Sequence, residues 1–335
     1  MTSTLKSATT EKNDKQVTYM TFTFVFPGQG SQAITMGRDL YDNFKAARLV
    51  MDEVEDALQE KLSHIMFEGP NDTLMLTENA QPALLTASMM AFHVIMDETK
   101  NTSAATLSPM MAGHSLGEYS ALCAAGYLSL TDAVRLVRLR GQAMQEAVPV
   151  GIGAMAAILG LDLSVVESLL DGLDQPNNFC GIANDNSPGQ VVISGHKDAV
   201  DEVIKRALEA GAKRGLLLPV SAPFHSPLME PAARVMEDAL NNTTIHDGTS
   251  KIIANVTAMP LVSKEFITPS LVSQITGRVR WCESVKNMKA LGATTCVELG
   301  SGKVLAGLIK RIEPDVATIS VQNAADVGTF LAMLK

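Results

Sequence analysis

Cysteine is scarce in this chain, and no two cysteines stand at a spacing that would hold a metal or form a redox pair. The four, Cys123, Cys180, Cys282 and Cys296, are scattered and mostly sit in apolar surroundings. That usage excludes a disulfide-stapled scaffold and fits reduced core thiols in a cytoplasmic protein, with no metal centre expected. Basic charge is also short: 27 Lys and Arg against 36 Asp and Glu leave a net charge of -9. Such a field repels phosphates, which excludes nucleic acid and anionic membrane as general partners. Long apolar runs are missing too. The longest nearly uncharged stretch, residues 148–161, is interrupted by Pro149, Gly151 and Gly153 and is too short to cross a bilayer as a helix. Residues 1–20, rich in Thr, Ser, Lys and Asn, lack the apolar segment of a secretory signal, and Glu11 and Asp14 oppose a transit peptide. A disordered tail is expected there. No internal repeat or low-complexity segment occurs.

What is present is a 335-residue chain that is 46% hydrophobic, long enough for one elaborated domain or two. After the tail, residues 21–26 read as a buried strand, 44–62 as a helix and 82–96 as an apolar helix, the alternation of a parallel α/β fold. Between Gly153 and Val220 the order becomes strand 154–161, helix 164–170, strands 181–184 and 191–194, helix 198–210 and strand 215–220. This βαββαβ order is ferredoxin-like and reads as a small insert. Beyond Pro227 the α/β alternation resumes, with strands at 252–255 and 295–299 and a helix at 304–311.

The most informative local feature is Gly113-His114-Ser115-Leu116-Gly117, between a short apolar stretch and a small-residue helix. A Gly-x-Ser-x-Gly run in that setting builds a nucleophile elbow: the glycines make room for neighbouring backbone while the serine is forced into the open. A serine nucleophile needs a base. Among six histidines, His64 and His93 fall within helical patterns, His196 and His246 read as solvated loop positions, and His114, next to the serine on a sharp turn, should point away from it. His225 sits in Ser221-Ala222-Pro223-Phe224-His225-Ser226-Pro227, a loop stiffened by prolines directly after an apolar strand. That is the setting a catalytic imidazole of fixed orientation needs.

Arg140 is in the wrong place for a surface charge. In the helix expected over 131–144 it shares the apolar face of Ala133, Leu136, Val137 and Met144, while Arg135, Arg138 and Gln142 point elsewhere. A buried guanidinium needs an anion: either a protein carboxylate such as Glu118 or a substrate. Its planar fork suits bidentate capture of a carboxylate. Two glycine loops compete for a nucleotide. Pro27-Gly28-Gln29-Gly30-Ser31-Gln32-Ala33 fits G-x-G-x-x-A, but the acidic residues about 20 positions on, Asp52 and Glu53, lie in a helical stretch rather than at a strand end. The other reading of this loop is a set of backbone N–H groups facing an oxyanion, with the N–H of Leu116 as their complement. Gly300-Ser301-Gly302-Lys303 lacks the first glycine and the hydroxyl residue of a Walker loop.

Taken together, Phe24-Val25-Phe26-Pro27-Gly28-Gln29-Gly30-Ser31-Gln32, Thr77-Glu78-Asn79-Ala80-Gln81-Pro82-Ala83, Gly113-His114-Ser115-Leu116-Gly117-Glu118-Tyr119, Arg140, Pro223-Phe224-His225-Ser226 and Glu298-Leu299-Gly300-Ser301-Gly302-Lys303-Val304-Leu305 resemble, in order, the malonyl-CoA:acyl carrier protein transacylases and the acyltransferase domains of fatty acid and polyketide synthases. The resemblance runs from about Thr21 to the C-terminus. It implies an α/β-hydrolase-like catalytic subdomain (21–150 and 222–335) around a ferredoxin-like subdomain (151–221). It implies Ser115 as the acylated nucleophile, His225 as its base oriented by the backbone carbonyl of Gln274, Gln29 and Leu116 as oxyanion-hole donors, and Arg140 as the partner of the malonyl carboxylate. The expected substrates are malonyl-CoA and acyl carrier protein, with no cofactor, in a monomeric enzyme. Phe224 either crowds the acyl α-carbon or simply packs its loop. A serine esterase or thioesterase of related fold is the alternative, and Arg140 argues against it. Since carrier proteins are acidic, docking calls for a local positive surface, for which Lys213-Arg214, Lys303 and Lys310-Arg311 are candidates.

Overall fold

The computed structural model describes residues 21–335 apart from Asn101, Ser221 and Lys335; the tail expected over 1–20 lies outside the described residues. Among the described residues, ten strands form two sheets. The first is parallel throughout and contains β1 (Thr23–Phe26), β2 (Met110–Gly113), β8 (Lys251–Ile253), β9 (Thr295–Leu299) and β10 (Ala317–Val321), ordered β10-β9-β1-β2-β8. The second is antiparallel and contains β3 (Gly153–Leu159), β4 (Asp174–Gln175), β5 (Asn178–Ser187), β6 (Gln190–His196) and β7 (Arg214–Leu217), ordered β4-β5-β6-β3-β7. Without the short β4, the order β5-β6-β3-β7 is that of a ferredoxin-like sheet. The fold is therefore α/β with a parallel sheet and a second, antiparallel one, as the alternation of patterns predicts.

Strands β1 and β2 are buried at every position, as parallel strands covered on both faces must be. The helix Gly117–Ala124 packs on both, and the helix Thr77–Glu98, buried almost all round, sets Phe92 edge-on against Phe24 of β1. Pro82 lies inside this helix, so the start expected at that proline is displaced by a turn and a half. One missing N–H is tolerated because the surrounding segment is fully packed. The helix expected over 44–62 instead ends at Leu58, where Gln59 turns left-handed (φ 55°), and a separate helix occupies Leu62–Phe67. His196 closes β6 rather than a solvated loop: it is half-buried and its Nδ1 accepts from the Phe179 N–H at 3.0 Å.

Two backbone hydrogen bonds tie the second sheet to a segment outside both sheets. Asp185 N donates to Val279 O at 3.0 Å, and Val279 N donates to Ala183 O at 2.8 Å, so β5 is stitched to the segment that leads into the helix Trp281–Ala290. In the first sheet, the C-terminal ends of β1, β2 and β8 face one side, where open parallel sheets place their sites. Those ends lead to Gln29, Ser115 and Asn255.

The turn after β2 explains its glycines. A Cβ on Gly113 would stand 1.9 Å from the Gly117 carbonyl, and a Cβ on Gly117 would stand 2.2 Å from Phe26 O. Both obstacles are backbone and cannot rotate away. Gly117→Ala is expected to cost more than about 2 kcal/mol or to abolish soluble folding, measured by urea unfolding; a variant as stable as the parent would refute the close approach.

Candidate active site

Ser115 sits between β2 and the helix Gly117–Ala124 with φ 53°, a left-handed conformation uncommon outside glycine. Asn255, just beyond β8, holds it there. Its Oδ1 accepts from Ser115 N at 2.7 Å and its Nδ2 donates to Gly113 O at 2.7 Å. With the backbone thus fixed, Ser115 Oγ lies 2.8 Å from His225 Nε2. His225 is also left-handed, at φ 57°, and is 5% exposed. Its Nδ1 is 2.8 Å from Gln274 O. A carbonyl can only accept, so Nδ1 carries the proton and Nε2 presents its lone pair to the serine. This is the tautomer a general base requires.

Arg140 completes the group and is 2% exposed. Nη1 donates to Gln81 Oε1 at 2.8 Å, and Nη2 donates to Gln274 Oε1 at 2.9 Å and to Ser115 Oγ at 3.1 Å. The Tyr119 ring lies 5.8 Å from the guanidinium carbon. All the oxygens it bonds are neutral. Glu118, considered from sequence as its counter-ion, bonds elsewhere: its Oε2 accepts from Asn255 N at 3.0 Å and from Gln274 Nε2 at 2.8 Å. Among the described residues, then, no carboxylate bonds the guanidinium.

These groups line a cavity of about 210 Å³ with Gln29, His114, Met144, Met155, Asn184, Leu218 and Phe224. Both sheets contribute walls. Gln29 is placed by Thr77, whose hydroxyl donates to Gln29 Oε1 at 2.6 Å. Leu116 is buried at the start of the Gly117–Ala124 helix. His114 also lines the cavity, with its ring tilted on Trp281 and Nε2 2.8 Å from Asn186 Oδ1, partners distinct from those of the Ser115 hydroxyl. Arg138, expected to point away from the core, is half-buried and bonds Asn79 Oδ1 at 2.7 Å and Glu60. Sequence reasoning missed Asn255 and Gln81. Gln81 lay in a motif already in view, whereas Asn255 carries no local signal.

Burial, followed by the nearby Arg140 cation, pushes the His225 imidazole down to about 3 from its ordinary 6.5. The native ring is neutral, while an unfolded chain protonates it below about pH 6.5, so this group's contribution to stability is lost as pH falls from there towards 3. By NMR, the His225 ring should show no titration between about pH 5 and pH 8; a midpoint near 6.5 would overturn the buried, cation-facing placement.

Comparison with known proteins agrees with this architecture. The acyl transferase domain family matches residues 23–326. The malonyl CoA-acyl carrier protein transacylase of Bacillus subtilis (strain 168) is 45% identical over 313 residues, 93% of this chain and 96% of the relative. That of Escherichia coli (strain K12) is 44% identical over 307 residues, 90% and 96% of the two chains. The crystal structure of an acyl-carrier-protein-S-malonyltransferase from Bartonella henselae superposes with a TM-score of 0.90 at 50% identity, covering 94% of this chain and 99% of its own. A malonyl-transacylase solved in complex with its type II PKS acyl-carrier protein superposes at 0.89 and 39% identity, over 94% and 100%. With two sheets of this topology and relatives matched over nine-tenths of its length, the chain belongs to the acyl transferase family, among the malonyl CoA-acyl carrier protein transacylases.

Proposed function

We propose that the protein moves a malonyl group from malonyl-CoA to the phosphopantetheine thiol of an acyl carrier protein by double displacement through a malonyl-serine at Ser115. The observation that carries this reading is a buried Arg140, bonded only to neutral oxygens, one hydrogen bond from the serine hydroxyl. A cation left without an anion inside a protein is costly, and a carboxylate brought in by the substrate removes that cost. An acetyl group brings none.

In the first half-reaction, Ser115 Oγ attacks the thioester carbonyl as its proton passes to His225 Nε2. The backbone N–H groups of Gln29 and Leu116 receive the developing oxyanion. The tetrahedral intermediate collapses, the C–S bond breaks, and coenzyme A leaves as the thiol with the proton from His225. In the second, the carrier thiol gives its proton to His225, attacks the malonyl-serine ester and returns the serine hydroxyl. Burial is the first cause of the depressed His225 and the Arg140 charge adds to it, so pairing with the malonyl carboxylate offsets the second contribution and raises the basicity of the ring when the right acyl group is bound.

The carrier-protein arm is supported by the names of the relatives and by the complex of one of them with its carrier. On this chain Lys213, Arg214, Lys303 and Lys310 are exposed and available to an acidic partner. Arg311, though exposed, spends one Nη1 donor on Gln190 Oε1 across to β6.

Two outcomes test the reading. Mixed with malonyl-CoA alone, the intact protein should gain the mass of one malonyl group, and Ser115→Ala should gain nothing; an unchanged mass for the parent chain would remove the covalent intermediate. Arg140→Ala should slow malonyl transfer at least about 100-fold while changing acetyl transfer less than about threefold. Equal losses for the two acyl groups would sink the role of the arginine in selection.

A further inference from the structure

Glu118 is fully buried and takes no part in the proton transfers above, yet one of its oxygens bonds both residues that position the groups that do. Oε2 accepts from Asn255 N and from Gln274 Nε2. Asn255 in turn pins the serine turn, holding Ser115 N and Gly113 O through its side-chain amide. Gln274 does three things at once. Its Nε2 also donates to Ser115 O at 2.9 Å, its Oε1 receives Arg140 Nη2, and its backbone carbonyl receives His225 Nδ1. The orientation of the Gln274 amide therefore decides whether Arg140 meets an acceptor or a donor. Were the amide flipped, Nε2 would face the guanidinium and both partners would be donors. The acceptor that opposes the flip from the far side is Glu118 Oε2, backed by Ser115 O.

We infer that Glu118 is a positioning residue whose single oxygen sets the serine turn through Asn255 and the arginine through the Gln274 amide, and so governs both acylation rate and preference for a dicarboxylic acyl group. This rests on the proposed roles of Ser115, His225 and Arg140. The position of an acceptor oxygen matters here, more than a full negative charge. Glu118 Oε1 has no hydrogen-bond partner among the described residues, and burial pushes the carboxyl up to about 7, so the site does not demand the ionised form. Glutamine at this position offers the same oxygen at the same reach. Aspartate keeps the carboxylate but withdraws it by one methylene.

The test compares Glu118→Gln, Glu118→Asp and Glu118→Ala in the full chain, with thermal unfolding to confirm folding and single-turnover acylation by malonyl-CoA and by acetyl-CoA. The Gln variant should stay within about threefold of the parent for both substrates, while the Asp and Ala variants should lose about 10- to 100-fold in the acylation rate from malonyl-CoA, the size of one buried hydrogen bond to a charged or strongly polar group. Their malonyl-to-acetyl preference should also fall by about tenfold, an effect that generalised loosening of the core would not produce. Where Glu118→Ala does not fold, Glu118→Asp decides. A folded Asp variant with the parent's rate and preference overturns the inference, and so does a Gln variant as impaired as the Asp one. Ser115→Ala runs alongside: its acylation by malonyl-CoA would overturn the assignment of the nucleophile instead, whatever the Glu118 variants do.

Discussion

The cation of Arg140 is the constraint around which this molecule is arranged. A guanidinium out of water costs several kcal/mol unless its donors are met, and here Nη1 and Nη2 are met by two glutamine side chains and a serine hydroxyl rather than by an acid, while the buried Nε has no partner among the described residues. Those acceptors have to be supplied from distant parts of the chain. Gln81 comes from the long helix Thr77–Glu98, Gln274 from the helix Ile267–Thr276 and Ser115 from the turn after β2. Satisfying one charge thus fixes three elements relative to the Leu130–Glu146 helix that carries it. The arrangement leaves the positive charge without a directly bonded carboxylate, Glu118 acting on it only through space, which is a stability cost kept at the place where a substrate carboxylate is proposed to bind.

Backbone strain is concentrated at the same place. Ser115 and His225 are two of five described non-glycine residues with positive φ, and each is held by partners that leave no alternative. Asn255 grips the peptide of the first, and the Gln274 carbonyl fixes the ring of the second. Strain of this kind costs of order 1–3 kcal/mol per residue and persists only where the surroundings over-determine it. In return, the hydroxyl and the imidazole meet at hydrogen-bond distance before any ligand arrives.

Much of this was legible in the sequence, and the reasons differ by residue. Ser115 is legible because its elbow needs glycines at fixed offsets, and the close approaches at Gly113 and Gly117 show why. Arg140 is legible because a charge on an apolar helix face violates periodicity. The antiparallel sheet is legible because period-2 and period-3.6 patterns alternate cleanly between Gly153 and Leu217. The rest depends on tertiary meeting points. Asn255 lies 140 residues from the serine it holds, and nothing in its own surroundings distinguishes it from a turn asparagine. His196 differs from its expectation because local neighbours suggest exposure while packing against β5 decides otherwise. Helix limits shifted at Pro82 and Gln59 because tertiary burial overrides local propensity.

The two main-chain hydrogen bonds that tie β5 to Val279 bear on how the cavity can change shape. Crevices walled by separate lobes commonly open and shut about a hinge, and their width then depends on occupancy. Here main-chain hydrogen bonds hold β5 to Val279, and the next residue, Arg280, donates its N–H to Asn255 O at 3.0 Å just beyond β8, which restrains the two walls relative to one another. The side chains that face the chamber, Met144, Met155, Leu218 and Phe224, then adjust its width to an acyl chain through their rotamers.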